Sequence, residues 1–286
     1  VWQNSLSMEM TKNILITGVS PGGIGYFCAL GLKAQGHLVV GTVRSDEDEQ
    51  ALSEQGIATV RMEMLDYSSI DRGFAQALGL LNGRIDILFQ NAGFGQAGFV
   101  EDLPVAAFEE QFKVNVFALH HLNTLLIPVM RAQGQGRIII HSSVLGFVAM
   151  ACRGAYVATK FALEGMVQAM RIEMQGSGVE VAMLNTGPVV SNFRRNASKA
   201  LFKHVDLTQG PNTDRYQSLV LPRLEALEDD SHANYGPETV FKALSHAVNS
   251  PRLRTHYYIT PPTKLLFWLK KILPTRTLDA LLRRAG

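Results

Sequence analysis

The sequence predicts an α/β fold, a doubly wound and mostly parallel sheet of about seven strands with helices on both faces and a C-terminal amphipathic helical extension. Three observations predict it. Short apolar runs of strand length alternate with longer helical stretches along the chain. The runs are continuous rather than alternating in polarity, as strands buried on both faces require. A glycine-rich turn, Thr17 to Gly25, joins the first run to the first helix.

Lys12 to Thr17 is the first strand, and Tyr26 to Gln35 is a helix stopped by Gly36. His37 to Val43 is the second strand. Asp46 to Gln55 is a charged helix with its acids at the N-terminal end, where the dipole favours them. Ile57 to Met62 is the third strand, and Asp66 opens a helix to about Leu81. Asp86 to Gln90 is the fourth strand, and Val105 to Met130 reads as one long helix. Arg137 to His141, Gly154 to Gln175 and Val179 to Leu184 read as strand, helix and strand. Asn192 to Tyr235 is irregular and polar, and is expected to form a substrate lid. Glu238 to Asn249 is a helix and His256 to Thr260 the last strand. No linker divides the chain, so residues 10–262 form one domain and 263–286 an extension. Residues 1–9 are polar and read as an expression remnant outside the fold.

The 286 residues are 47% hydrophobic and 18% charged, a globular composition that excludes a disordered or fibrous chain. Cys28 and Cys152 make no disulfide framework, which fits a reducing, cytoplasmic setting. No uncharged apolar run reaches the roughly 18 residues of a spanning helix. The net charge of +2 is unevenly spread. Between Thr263 and Gly286 lie six basic residues and one acidic, a +5 tail on a body of −3.

In an open α/β sheet, ligands bind beyond the carboxyl ends of the strands. Thr17 to Gly25 (TGVSPGGIG) lies at such an end. Glycines there let the backbone approach a pyrophosphate, to which the helix N-terminus offers free N–H groups, as in a Rossmann-like site. Gly18, Ser20, Gly23, Ile24 and Gly25 are the expected cofactor contacts. Arg44 follows the second strand, where an acid would bind the ribose 2′-OH of NAD, and an arginine suits the 2′-phosphate of NADP. Asp46, Glu47, Asp48 and Glu49 read as a solvated helix start, but one of them turned toward the ribose would weaken that preference. Asp66 reads as an adenine contact, a helix cap, or both.

Tyr156 and Lys160 are four apart and share one helix face. An ammonium beside a phenol lowers the phenol pKa and fits it for acid–base work. With the glycine loop, Asp66, Asn91-Ala92-Gly93, Asn115, Ser142-Ser143 and Gly187-Pro188, the chain resembles the classical short-chain dehydrogenase/reductases over about Lys12 to Ser191. The family's serine lies 13 residues before its tyrosine, which selects Ser143. The resemblance implies hydride transfer with nicotinamide, with Tyr156 giving a proton to the carbonyl oxygen and Ser143 bonding that oxygen. It implies that Lys160 also holds the nicotinamide ribose and that Asn115 bends its helix and holds a water beside the lysine. It further implies that Asn91, Ala92 and Gly93 lie along the adenosine and that Val189 and Ser191 reach the nicotinamide end. Departures are a glycine loop one residue longer than usual, Gln90 for asparagine, Thr186 for proline and Ser191 for threonine. His141 is expected to pack at its strand end rather than to act.

Phe94, Leu145, Phe147, Val148, Ala149, Met150, Val189 and Phe193 are expected to line an apolar substrate pocket. That favours a steroid-like or lipid-like ketone, aldehyde or secondary alcohol. A non-catalytic NADP-binding sensor is the competing reading, and an epimerase or dehydratase using the same Tyr–Lys pair is a third. A homodimer or homotetramer is expected, and no metal or nucleic acid. In the tail, Leu265, Trp268, Leu269, Ile272 and Leu273 recur at helical spacing among lysines, and Pro274 breaks the helix. Two readings stand: a helix packed on the body or a second subunit, or one lying at a membrane surface.

Overall fold

The computed structural model describes residues 11–222 and 235–285. The strands are β1 Asn13–Ile16, β2 Leu38–Val43, β3 Ala58–Arg61, β4 Ile87–Gln90, β5 Gly136–Ser143, β6 Val179–Thr186 and β7 His256–Ile259. They form one sheet in the order β3-β2-β1-β4-β5-β6-β7, and every neighbouring pair is parallel. The expected mostly parallel sheet is thus wholly parallel among the described residues. The order reverses beside β1, which opens a crevice at the carboxyl ends of β1 and β4.

The side-chain period of two distributes the core. Leu15 of β1 faces one layer, with α3 (Tyr67–Leu80), α5 (Ala118–Gln133) and α6 (Gly154–Glu173). Ile14 and Ile16 face the other, with α1 (Ile24–Ala34), α2 (Asp46–Glu54) and α9 (Glu238–Asn249). Both faces of the sheet are therefore covered by apolar helix stripes, and the strands need the continuous apolar runs seen in the sequence.

Caps fix where helices begin. Ser45 accepts from Asp48 N–H at the start of α2, and Asp66 accepts from Ser68 N–H at the start of α3. The long helix expected over 105–130 is α4 (Val105–Phe112) running through a π turn, Lys113–Phe117, into α5. Asn115 sits in that turn, at the kind of helix irregularity often found at functional sites.

Two segments differ from expectation. Residues 192–235 are not irregular throughout. They open with α7 (Phe193–His204), then a short helix α8 (Thr213–Arg215) and a π turn, Tyr216–Val220. The signal was weak because the inner face of α7 is made of small residues, Ala197 and Ala200, beside Leu201. They pack with Ala97, Phe99, Leu103 and Tyr216 into a small core of their own. Tyr216 donates to Asp102 and accepts from Phe99 N–H. The part of the expected lid over 223–234 lies outside the described residues. The tail begins earlier than expected, as α10 (Pro261–Ile272) and α11 (Thr275–Ala285), parted at Pro274.

Candidate active site

The cleft at the carboxyl ends of the strands has a volume of about 1200 Å³. Ligand pockets usually hold about 300–1,000 Å³, so the cleft has room for an extended cofactor together with a substrate. Its walls include Gly18, Ser20, Gly23 and Ile24 of the glycine loop, Arg44, Asn91, Ala92 and Gly93, then Ser143, Tyr156, Lys160, Val189 and Ser191. The structure thus brings most of the expected nucleotide and catalytic residues to one continuous site; Gly25, Asp66 and Asn115 stand off its wall.

The floor is a hydrogen-bonded tie across four strand ends. Thr17 Oγ1 accepts the N–H groups of Asn91 and Ala92, each at 3.0 Å. Asn91 Nδ2 donates to the carbonyls of Thr17 and Gly18 at 3.1 and 2.8 Å. Its Oδ1 lies 2.9 Å from His141 Nδ1, and His141 Nε2 lies 2.9 Å from Thr186 Oγ1. Since Asn91 Nδ2 is already donating, Oδ1 must accept, so the network assigns the proton of a neutral His141 to Nδ1. Burial, with the Lys160 charge adding to it, pushes His141 down to about 3 and keeps it neutral. His141 is more than packing. It joins β4 to β6 and leaves its carbonyl to accept Lys160 Nζ at 2.8 Å. Sequence reasoning missed this role, although a histidine beside two serines at a strand end was a signal.

Lys160 is held on α6 in a buried position, and burial pushes it down to about 8, against a neighbouring Glu164 that supports its charge. Glu164 accepts from Ser142 Oγ at 2.9 Å and Asn185 Nδ2 at 2.6 Å. Tyr156 lies one turn before Lys160, whose Nζ is 5.5 Å from the phenol ring centroid. The expected lowering of the tyrosine pKa is overturned here. Burial pushes Tyr156 up to about 12, because a phenolate would lose its hydration, and a hydrogen bond with Ser143 opposes this only in part.

Asn115 is buried behind the cleft rather than on its wall. Its Oδ1 accepts from Phe94 N–H at 3.1 Å, and its Nδ2 donates to Phe94 O at 2.9 Å and to Thr159 Oγ1 at 3.3 Å. It pins the Phe94 loop to the helix that carries Tyr156 and Lys160. Gly25 also lies behind the wall. A Cβ there would strike Gly18 O and Asn91 Nδ2, so the glycine allows α1 to close against the loop. Asp66 stands just outside the cleft, where it caps α3, while Glu63, Met64 and Leu65 line the wall. The lengthened loop is tethered: Gly22 adopts φ +76°, and Asn192 Nδ2 donates to Pro21 O at 2.9 Å.

At the ribose end, Asp46 and Glu49 both pair with Arg61. Asp48 accepts from Ser20 Oγ at 2.6 Å and lines the cleft with Arg44. At the other end Phe94, Leu145, Met150, Val189 and Phe193 line the wall as expected. Phe147 does not. The short 3₁₀ turn Val144–Gly146 turns it away into an aromatic cluster, 5.8 Å from the ring centroids of both Tyr258 and Phe267. Basic side chains of α7, Arg195 and Lys199 among them, add a charged rim that the apolar expectation did not include.

A fold of this order carrying Ser143, Tyr156 and Lys160 at the switch-point crevice defines a nucleotide-dependent oxidoreductase. Comparison with known proteins gives the family. A short chain dehydrogenase model matches residues 12–201. The uncharacterized oxidoreductase YbbO of Escherichia coli strain K12 is 33% identical over 274 residues, covering 96% of this chain and 95% of that protein. Human retinol dehydrogenase 8 is 31% identical over 253 residues, covering 84% and 79% of the two chains. A short-chain dehydrogenase structure from Streptomyces avermitilis superposes with a TM-score of 0.78 at 26% identity, covering 96% and 94%. The chain belongs to the short-chain dehydrogenase/reductase family and is an oxidoreductase of that family.

Proposed function

We propose that the chain is an NADP(H)-dependent reductase of hydrophobic, steroid-like or lipid-like ketones and aldehydes, able also to oxidise the matching secondary alcohols. The observation that carries this reading is the span of one cleft from Arg44 to Ser143, Tyr156 and Lys160, with an apolar wall beyond them. The glycine loop fits a dinucleotide: Gly18 adopts φ +72°, and a Cβ there would press on the Ala92 backbone. Arg44 has no ion pair among the described residues; of the acids that follow it, Asp46 and Glu49 are tied to Arg61, and Asp48, which lines the cleft, accepts from Ser20 Oγ. That leaves a cation for the 2′-phosphate of NADP. Bound NADPH supplies the hydride.

The chain's own groups handle the proton. Tyr156, held protonated at neutral pH by burial, donates its hydroxyl proton to the carbonyl oxygen as that oxygen gains charge. The Ser143 hydroxyl bonds the same oxygen. The phenolate left behind is stabilised by the Lys160 ammonium, which His141 O and Glu164 hold in place. The apolar wall excludes water, and the α7 rim accommodates a polar or anionic group at the far end of the substrate. The name of human retinol dehydrogenase 8 accords with an apolar substrate.

The test is NADPH oxidation against aldehydes and ketones of graded chain length. Activity should rise with apolar length. Tyr156→Phe should lower turnover about 10²- to 10⁴-fold while NADPH binding persists. Retained turnover would remove the tyrosine from the chemistry. Bound NADPH with no turnover across the panel would instead identify a sensor.

A further inference from the structure

We propose that the exposed face of α10 is a docking surface for an anionic lipid bilayer. The orientation of this helix is fixed from within. Leu266, Leu269 and Leu273 face the body, where they pack against a buried cluster of Val144, Leu145, Val148, Tyr156, Leu278 and Leu282. Thr263, at the start of the helix, is fully buried and shares a hydroxyl contact of 3.0 Å with Thr260. The other side stays in solvent. Leu265, Trp268 and Ile272 are 59, 58 and 73% exposed. Their spacing of three and four makes one stripe along the helix. Lys264, Trp268 and Lys271 make an adjacent line, so the tryptophan belongs to an apolar stripe and a basic one at once. Lys271 Nζ lies 5.2 Å from the Trp268 ring centroid. The next helix adds exposed Leu281, at 40%, with Arg276 and Arg283.

A solvent-facing stripe of this kind needs a cover, and its charge says which. Residues 263–286 carry six basic groups and one acid on a body of −3. Two copies pairing through this face by a two-fold axis would set +5 against +5, because a two-fold interface meets itself. An anionic bilayer meets Lys264 and Lys271 of this face, and Arg276 and Arg283 beyond it, with the opposite charge. It also takes the leucine, isoleucine and indole side chains into its acyl boundary. No described helix is long and apolar enough to cross a membrane, so the contact lies on the surface. The inner face of the same tail shares a buried cluster with Tyr156 and with Leu145 of the cleft wall, so a docked molecule holds that wall near the lipid.

The test uses the full chain with Trp2→Phe, which leaves Trp268 as the one tryptophan. It is mixed with vesicles of phosphatidylcholine alone and of phosphatidylcholine with phosphatidylglycerol. Expected are a blue shift of Trp268 emission and co-sedimentation on the phosphatidylglycerol vesicles only, both reversed by added salt. Leu265→Ser with Ile272→Ser, and separately Lys264→Glu with Lys271→Glu, should each weaken binding more than about tenfold. Both pairs should keep the melting temperature and the activity on soluble substrate. The lipid and salt arms need no variant at all. No binding to the anionic vesicles overturns the proposal, as does equal binding to neutral ones. A dimer that Ile272→Ser dissolves, in a protein that ignores vesicles, assigns the face to a second copy and overturns it too.

Discussion

Lys160 carries the clearest conflict between stability and chemistry. Its folded value of about 8 lies below the ordinary 10.5, so charging it inside the fold is unfavourable. Below pH 8 both folded and unfolded chains hold the proton, and the full penalty is present. Between pH 8 and 10.5 the unfolded chain holds more protons, so stability rises with pH across that window. Tyr156 acts in the opposite sense. Its folded value of about 12 lies above 10, so stability falls as pH rises from 10. The lysine penalty is about 3 kcal/mol, and its bond to His141 O returns about 1 kcal/mol. Lys160→Met should therefore be more stable than the parent by about 2 kcal/mol at pH 7 while losing activity. Urea unfolding at pH 7 and pH 10 checks this: the gap should close at the higher pH. A gap that does not change would mean the ammonium is not penalised by burial.

At the scale of elements, the proposed NADP preference rests on the end of β2. Arg44→Asp should lower kcat/KM for NADPH by about ten- to hundredfold and raise the relative use of NADH, by loss of a charge-assisted bond. Steady-state kinetics with both cofactors measure it, and an unchanged ratio would remove Arg44 from the site. This end of the molecule was legible in the sequence because its signals are local. A strand, a glycine turn and a helix follow one another, and Tyr156 and Lys160 share a face by spacing alone. The remainder depended on contacts between segments distant in sequence. Phe147 was placed in the pocket because it follows Ser143, but the partners that take it away, Tyr258 and Phe267, come more than a hundred residues later. The direction of the Tyr156 shift depended on burial, which neighbouring residues do not reveal. His141 reads as an ordinary strand residue until β4 and β6 are set on either side of it. The small-residue face of α7 gave too little hydropathy contrast to announce a helix.

On the scale of the whole molecule, the C-terminal helices pack behind the active site: they share a buried cluster with Tyr156, and none of their described residues lines the cleft. Leu278 and Leu282 are 5 and 6% exposed in the cluster that contains Tyr156. Leu282→Ala should cost about 2–4 kcal/mol and raise KM for apolar substrates more than for NADPH. Chemical denaturation and kinetics together check it, and a stability near the parent's would show that the tail does not pack as described. The place of these helices in the sequence, after all seven strands, also bears on how the protein is made. Domains tend to form from the N-terminus as synthesis proceeds, at about 5–20 residues per second. The strands from β1 to β5 and the glycine loop emerge well before α10 and α11 exist. A chain released before Pro261 is made would therefore carry all seven strands and the glycine loop without the helices that pack on the Tyr156 cluster. Synthesis of α10 and α11 is then a condition for packing the cluster that holds Tyr156, and termination before them should impair turnover more than cofactor binding.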